Sequence, residues 1–159
     1  VDKFKKETAE MAEDIRKRIG PKEAEILESH LIMIDDPTMA GEMQKLIDAG
    51  QCSESAVEAV CDMFIGMFSQ MDDEFMQQRA ADIRDIKVSL LKILLAVEDV
   101  DISKVPPGTI LVAKDLTPSM TSQIRKENVC GIITEVGGKT SHSAILARAL
   151  EIPAVLSVP

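Results

Sequence analysis

The sequence predicts two domains of different class, an all-α bundle over residues 1–98 and an α/β domain over residues 99–159. Three observations carry this. Apolar residues recur every three or four positions through the first part, the period of an amphipathic helix. After Asp99 short β-branched runs alternate with helical patterns, as in β-α-β units. The charge divides at the same place. Residues 1–98 hold 12 Lys and Arg against 21 Asp and Glu, and residues 99–159 hold 6 of each, so the whole formal charge of −9 lies in the first part.

In chain order, a helix over Lys3–Ile19 is ended by Gly20-Pro21, a stop followed by a proline suited to the first turn of the next helix. That helix, Glu23–Asp35, runs to Asp36-Pro37, where a capping carboxylate and a proline open a short helix ending near Gly50. Ser53 is the expected N-cap of the next, with Glu54 in its first turn favouring the helix dipole. Val57, Val60, Cys61, Phe64, Met67, Phe68 and Met71 form its apolar stripe, and Phe75, Arg79, Ile83, Ile86, Leu90, Ile93 or Leu94, and Val97 line the following helix. Tight turns between these helices predict an antiparallel bundle.

Pro106-Pro107-Gly108 then marks a turn, and Thr109–Ala113 reads as a strand. Thr117-Pro118-Ser119 opens a short helix to about Lys126. A strand at 130–134, a helix from Ser141 to about Leu150 and a strand over Ala154–Val158 complete the pattern. About sixty residues are few for a stable α/β domain.

Composition excludes several classes. Aromatics are 3% with no Trp or Tyr, so the cores are built from Leu, Ile, Val, Ala and Met. No apolar run approaches the ~18 residues of a membrane span. No signal peptide opens the chain, and Val1-Asp2-Lys3-Phe4, without an initiator Met, reads as mid-protein sequence. Acidity argues against nucleic acid, whose phosphates need basic patches, and suits steering of a basic partner. Cys52, Cys61 and Cys130 are odd in number with no Cys-x-x-Cys spacing, which predicts three reduced thiols packed as small hydrophobes in a cytoplasmic protein, with neither disulfide nor metal site.

The stretch richest in chemistry is Gly137-Gly138-Lys139-Thr140-Ser141-His142-Ser143-Ala144-Ile145-Leu146-Ala147-Arg148. It places a histidine where a strand gives way to a helix. The glycine pair permits a sharp turn, and Thr140 or Ser141 can cap the helix. His142 then sits in the first turn beside N–H groups with no intrahelical partner, which together with the dipole suit a phosphoryl anion. The same dipole disfavours imidazolium and keeps the ring nucleophilic. Two other readings share these residues. GGKT matches the end of a Walker A loop, but the required earlier glycine would fall at Ile133. A capping histidine in a structural turn is the plainer reading.

GGKTSHSAILARALEIPAV resembles the phosphohistidine signature of two families, Enzyme I of the sugar phosphotransferase system and the pyruvate phosphate dikinase and phosphoenolpyruvate synthase group. Asp72–Asp85 (DDEFMQQRAADIRD) and Asp115-Leu116-Thr117-Pro118-Ser119 resemble Enzyme I, and the likeness spans nearly all of the chain. The resemblance implies a helical HPr-binding domain inserted in a swivelling α/β phosphohistidine domain. The first strands of that domain would lie before the helices, so the α/β part is expected to be truncated at both ends.

By the same resemblance, His142 accepts phosphoryl from phosphoenolpyruvate, on Nε2 in the family, and passes it to the histidine of HPr. Thr121 matches a threonine whose hydroxyl contacts the imidazole. Lys139, Thr140, Ser141 and Arg148 neighbour the phosphate, although Arg148, six residues on, falls roughly opposite His142 on an ideal helix. His30, Met33, Met39, Phe68, Phe75 and Arg79 match the HPr-docking face, where Pro37-Thr38 replaces two acidic residues of some members. From the residues alone, His30 reads as a surface or semi-buried structural histidine. Mg²⁺, phosphoenolpyruvate and homodimerisation are implied for a C-terminal domain outside these residues, and no cofactor within them. The alternatives are a dikinase-type swivelling domain and a helical adaptor without chemistry.

Overall fold

The computed structural model describes every residue except Glu98, Asp99, Thr140 and Pro159. Five helices come first: α1 (Asp2–Arg18), α2 (Pro21–Ile34), α3 (Pro37–Asp48), α4 (Ser53–Ser69) and α5 (Glu74–Leu94). A single 3₁₀ turn at Ile102–Lys104 precedes β1 (Thr109–Ala113), α6 (Pro118–Thr121), β2 (Val129–Thr134), α7 (His142–Ala149) and β3 (Ala154–Val155). Among the described residues the helical and α/β classes expected from sequence are both present.

The chain forms two compact units. One comprises Val1–Ala9 with Leu27–Asp99, the other Glu10–Ile26 with Val100–Pro159. The second half of α1 and the start of α2 thus belong with the sheet, enlarging what the sequence after Asp99 supplies. In the helical unit Phe4, Ile34, Met39, Met43, Val57, Val60, Cys61, Ile83, Ile86 and Leu90 form one buried cluster. At ~25 cal/mol per Å² of apolar area removed from water, each large side chain in it contributes roughly 1.5–3 kcal/mol before ordering costs. Helix entry is set locally. Asp36 accepts from Thr38 N and Met39 N, and Asp73 accepts from Phe75 N and Met76 N, satisfying donors a first turn leaves open.

In the second unit the sheet runs β1-β2-β3, all parallel. Its helical crossovers are what parallel pairing requires. Ile110 pairs with Gly131, Val112 with Ile133, and Ile133 with Val155. Val129, Ile132 and Thr134 of β2 are buried, as are Ala144, Leu146 and Ala147 of α7.

Several expectations are corrected. Cys52, not Ser53, is the N-cap of α4 and makes no capping bond; a helical Ser53 has its own φ and ψ inside the first turn. Met67 and Met71 are exposed, so these two positions of the expected stripe lie outside the core, Met71 beyond the end of α4. On α5, Phe75 and Val97 are likewise exposed, the latter beyond the helix end. Cys61 alone of the three thiols is buried. Burial, with help from Asp62, pushes it up to about 11, because a thiolate there would be desolvated. The helix opening at Thr117 stops at Thr121 rather than near Lys126, and the last strand is two residues long.

Candidate functional site

β2 delivers the chain to a turn whose backbone is tied down atom by atom. Thr134, fully buried at the strand end, donates from Oγ1 to the carbonyl of Val136 at 2.6 Å. Ser157 Oγ donates to Gly137 O at 2.6 Å, Ser141 Oγ to Gly138 O at 2.8 Å, and Arg148 Nη2 to Lys139 O at 3.4 Å. Four successive carbonyls each accept a side-chain donor. A trans peptide holds its N–H opposite its carbonyl, so these bonds also fix the directions of the turn's N–H groups.

The turn needs glycine at one of its two glycines. Gly137 has φ 118°, and a Cβ there would lie 3.4 Å from Ser141 Oγ. Gly138 has no positive φ, and no neighbour lies within 4 Å of a Cβ built on it. Of the pair that permits the turn, Gly137 alone takes up a conformation that favours glycine.

Ser141 is the N-cap of α7, accepting from Ala144 N at 3.3 Å. His142 is the first residue of the helix and half-buried, beside the first-turn N–H groups that suit an anion. Thr140, the other capping candidate, lies outside the described residues. Lys139 is exposed. Arg148, although far round the helix by spacing, reaches back with its guanidinium to the carbonyl of Lys139. Its length overcomes the helical angle.

Thr121 is 3% exposed on α6, which packs against α7. Its Oγ1 lies 3.0 Å from both Thr117 O and Pro118 O. The hydroxyl proton is therefore committed to α6 carbonyls, leaving only lone pairs for a ring N–H. A contact between this hydroxyl and an imidazole would then have the threonine oxygen as acceptor.

Two other contributors escaped the sequence reading. Arg18 of α1 donates to Ser122 O at 2.7 Å and Ile124 O at 3.1 Å, and Asp14 holds its Nε at 2.8 Å. It therefore clamps the end of α6 from more than a hundred residues away. Ser157 was likewise unmarked, since nothing local distinguishes a serine after a short strand.

On the helical unit the matched docking residues divide by exposure. Phe75 is 60% exposed and carries the Arg79 guanidinium 4.8 Å from its ring centroid, a cation–π contact. Met33, Phe68 and Arg79 are half-buried. His30 and Met39 are 2% and 3% exposed, beneath the surface rather than on it. His30 is also more enclosed than a surface or semi-buried histidine. Its Nε2 is 3.7 Å from Asp82 Oδ1 and its Nδ1 3.9 Å from Asp85 Oδ2. Two carboxylates on α5 thus flank a ring on α2, with all three side chains buried. Arg79 approaches Asp82 from outside, at 3.6 Å.

Among the described residues no cluster of His, Cys, Asp or Glu could hold a metal ion, and no helix is long and apolar enough to cross a membrane.

Comparison with known proteins gives a consistent result. The N-terminal model of PEP-utilising enzymes matches residues 1–79, and the model of their mobile domain matches residues 105–159. Phosphoenolpyruvate-protein phosphotransferase of Listeria innocua is 42% identical over 151 residues, covering 94% of this chain and 26% of that protein. The Bacillus subtilis protein of the same name is 41% identical over 157 residues, covering 98% and 28%. A solution structure described as Enzyme I (nEIt) superposes with a TM-score of 0.80 at 36% identity, covering 98% of this chain and 63% of that one. The chain spans about a quarter of the length of the curated relatives it matches. Sheet, pinned turn and helix-start histidine coincide with the mobile-domain match, and the chain belongs to the PEP-utilising enzymes, in the Enzyme I family of phosphoenolpyruvate-protein phosphotransferases.

Proposed function

We propose that this chain is the phosphoryl-carrying, HPr-docking part of a cytoplasmic Enzyme I, with His142 as the carrier. The observation that carries the reading is the placement of His142 at the first position of α7, after a turn with four side-chain-bonded carbonyls. Such a site holds an imidazole and three phosphoryl oxygens in one geometry, and catalysis of phosphoryl transfer is mostly positioning and charge stabilisation. As the P–N bond to His142 forms, the P–N bond to the HPr imidazole breaks. The proton released from the His142 ring balances the one taken up by the departing ring. In the forward direction the bond broken is the enol ester P–O of phosphoenolpyruvate, which leaves as enolpyruvate.

Residues 1–98 form the docking part in this reading and residues 99–159 the carrier part. Phe75 and Arg79, with Met33 and Phe68 behind them, are the surface for HPr, while His30 and Met39 shape it from beneath. Lys139 and Arg148 offer cationic charge to the phosphoryl oxygens, with Ser141 fixing the turn. Thr121 accepts from the ring rather than donating to it. Phosphoenolpyruvate, its Mg²⁺ and the dimer contact belong to the portion of the relatives outside this chain, and the described residues supply no metal-binding cluster of their own.

The test is intact-mass measurement after incubation with each donor separately. Phospho-HPr should add one phosphoryl group, acid-labile as a phosphoramidate, whereas phosphoenolpyruvate with Mg²⁺ should add none. His142→Ala should abolish labelling with unchanged circular dichroism, because the residue sits at a helix start outside the core. Full labelling of that variant sinks the assignment, and no labelling of the parent chain sinks the carrier reading.

A further inference from the structure

We infer that Ser157 is a positioning residue for His142, an inference that rests on the phosphohistidine reading above. Ser157 is exposed and has φ 60°, a left-handed conformation that glycine adopts freely and serine does not. Burial gives no reason for a side chain there. The structure supplies another: Oγ donates to Gly137 O at 2.6 Å, and the next amide, Val158 N, donates to Thr134 O at 3.0 Å. Two adjacent residues after β3 therefore grip the end of β2 and the hinge of the histidine turn together.

The other donors to the turn differ in kind. Thr134 bonds within the strand end, Ser141 is needed as the cap of α7, and Arg148 is a long side chain at 3.4 Å. Ser157 alone of these comes from outside the strand-turn-helix segment 129–149 on a short side chain. Its bond ties the left-handed Gly137 peptide, the most easily reoriented unit of the turn, to the sheet. Strained backbone held by a specific bond beside a reacting group is a recurring way to keep that group in place. During transfer the His142 ring must stay in line with phosphorus while the bond to the donor imidazole breaks. A turn free to swing loses that alignment, and misplacement on the scale of 1 Å costs up to about 100-fold in rate.

Single-turnover charging of the full chain by phospho-HPr tests this with Ser157→Gly and Ser157→Asn. Glycine removes the hydroxyl and also relieves the backbone. The expected result is a maximal charging rate lower by on the order of ten-fold, with half-saturating phospho-HPr unchanged and a melting temperature at or above the parent's. Asparagine tolerates the left-handed region and carries an N–H donor, so it should recover most of the lost rate. A glycine variant as fast as the parent, a rate loss that merely follows a lowered melting temperature, or an asparagine variant as slow as glycine would each overturn the role. No charging of the parent chain would instead overturn the phosphohistidine reading and this inference with it.

Discussion

The face of α4 and α5 and the turn before α7 are built by opposite means. The helical face rests on an apolar cluster and leaves Met67, Met71 and Phe75 exposed on it. Among the buried polar side chains of its unit, His30 lies 3.7 Å from Asp82 and 3.9 Å from Asp85. The turn is held by directional bonds to the Val136, Gly137, Gly138 and Lys139 carbonyls. A docking surface works by area and adapts through flexible methionines. A group-transfer site must hold one nitrogen in one place, which hydrogen bonds specify and dispersion does not.

That contrast can be broken most severely in the core beneath the helical face. Ile86 is fully buried, and Ile86→Ala should destabilise the chain by about 2–5 kcal/mol, the transfer loss plus the cavity left behind. Urea unfolding measures this. If the two regions are as different as argued, the variant still accepts phosphoryl at His142 once saturated with phospho-HPr, at temperatures where it remains folded.

Removing the surface itself should cost less and act only on binding. Arg79→Ala takes away the cation over Phe75 and the charge outside Asp82. Arginine and aromatic anchors are over-represented among residues worth more than ~1 kcal/mol at interfaces. We expect HPr affinity to fall about ten-fold by titration calorimetry, with the saturated charging rate unchanged. A loss of rate at saturation would place Arg79 in the chemistry and erase the distinction.

The smallest effect reads the helical core through a single thiol. Cys61 is raised to about 11 by burial and the neighbouring Asp62. A thiol whose folded value lies above its unfolded value of ~8.5 adds stability that is complete below that value and is lost as pH rises towards 11. Urea midpoints should therefore fall between pH 8.5 and 11 more in the parent than in Cys61→Ala, after allowing for the variant's lower starting stability. Near pH 8 an alkylating reagent should modify Cys52 and Cys130 quickly and Cys61 slowly, since only the latter is buried.

Legibility in the sequence followed the range of the interaction. β1 was read to the residue, Thr109–Ala113, because a β-branched run after Pro-Pro-Gly is a local signal. Asp36 as a cap and Pro21 and Pro37 as helix openers were equally plain, since each acts within one turn. Ser53 misled because capping residues favour a position but do not choose it; Cys52 took the place without a capping bond. Met67 and Met71 carried the core period without the core, because periodicity marks a face and only packing decides how far along it the neighbours reach.

By itself the sequence determined the helical and α/β classes, the strand-turn-helix placement of His142 and the resemblance from which its chemistry is proposed. Each rests on local signals, runs and motifs of no more than about twenty consecutive residues. Tertiary structure alone decided that α1 contributes its second half to the sheet-bearing unit, that Arg18 clamps α6, that His30 is enclosed by two carboxylates, and that Ser157 holds Gly137. Each of these joins groups between 20 and more than 100 residues apart. No local propensity encodes such a pairing; it arises when buried area and hydrogen-bond geometry are satisfied for the whole unit at once.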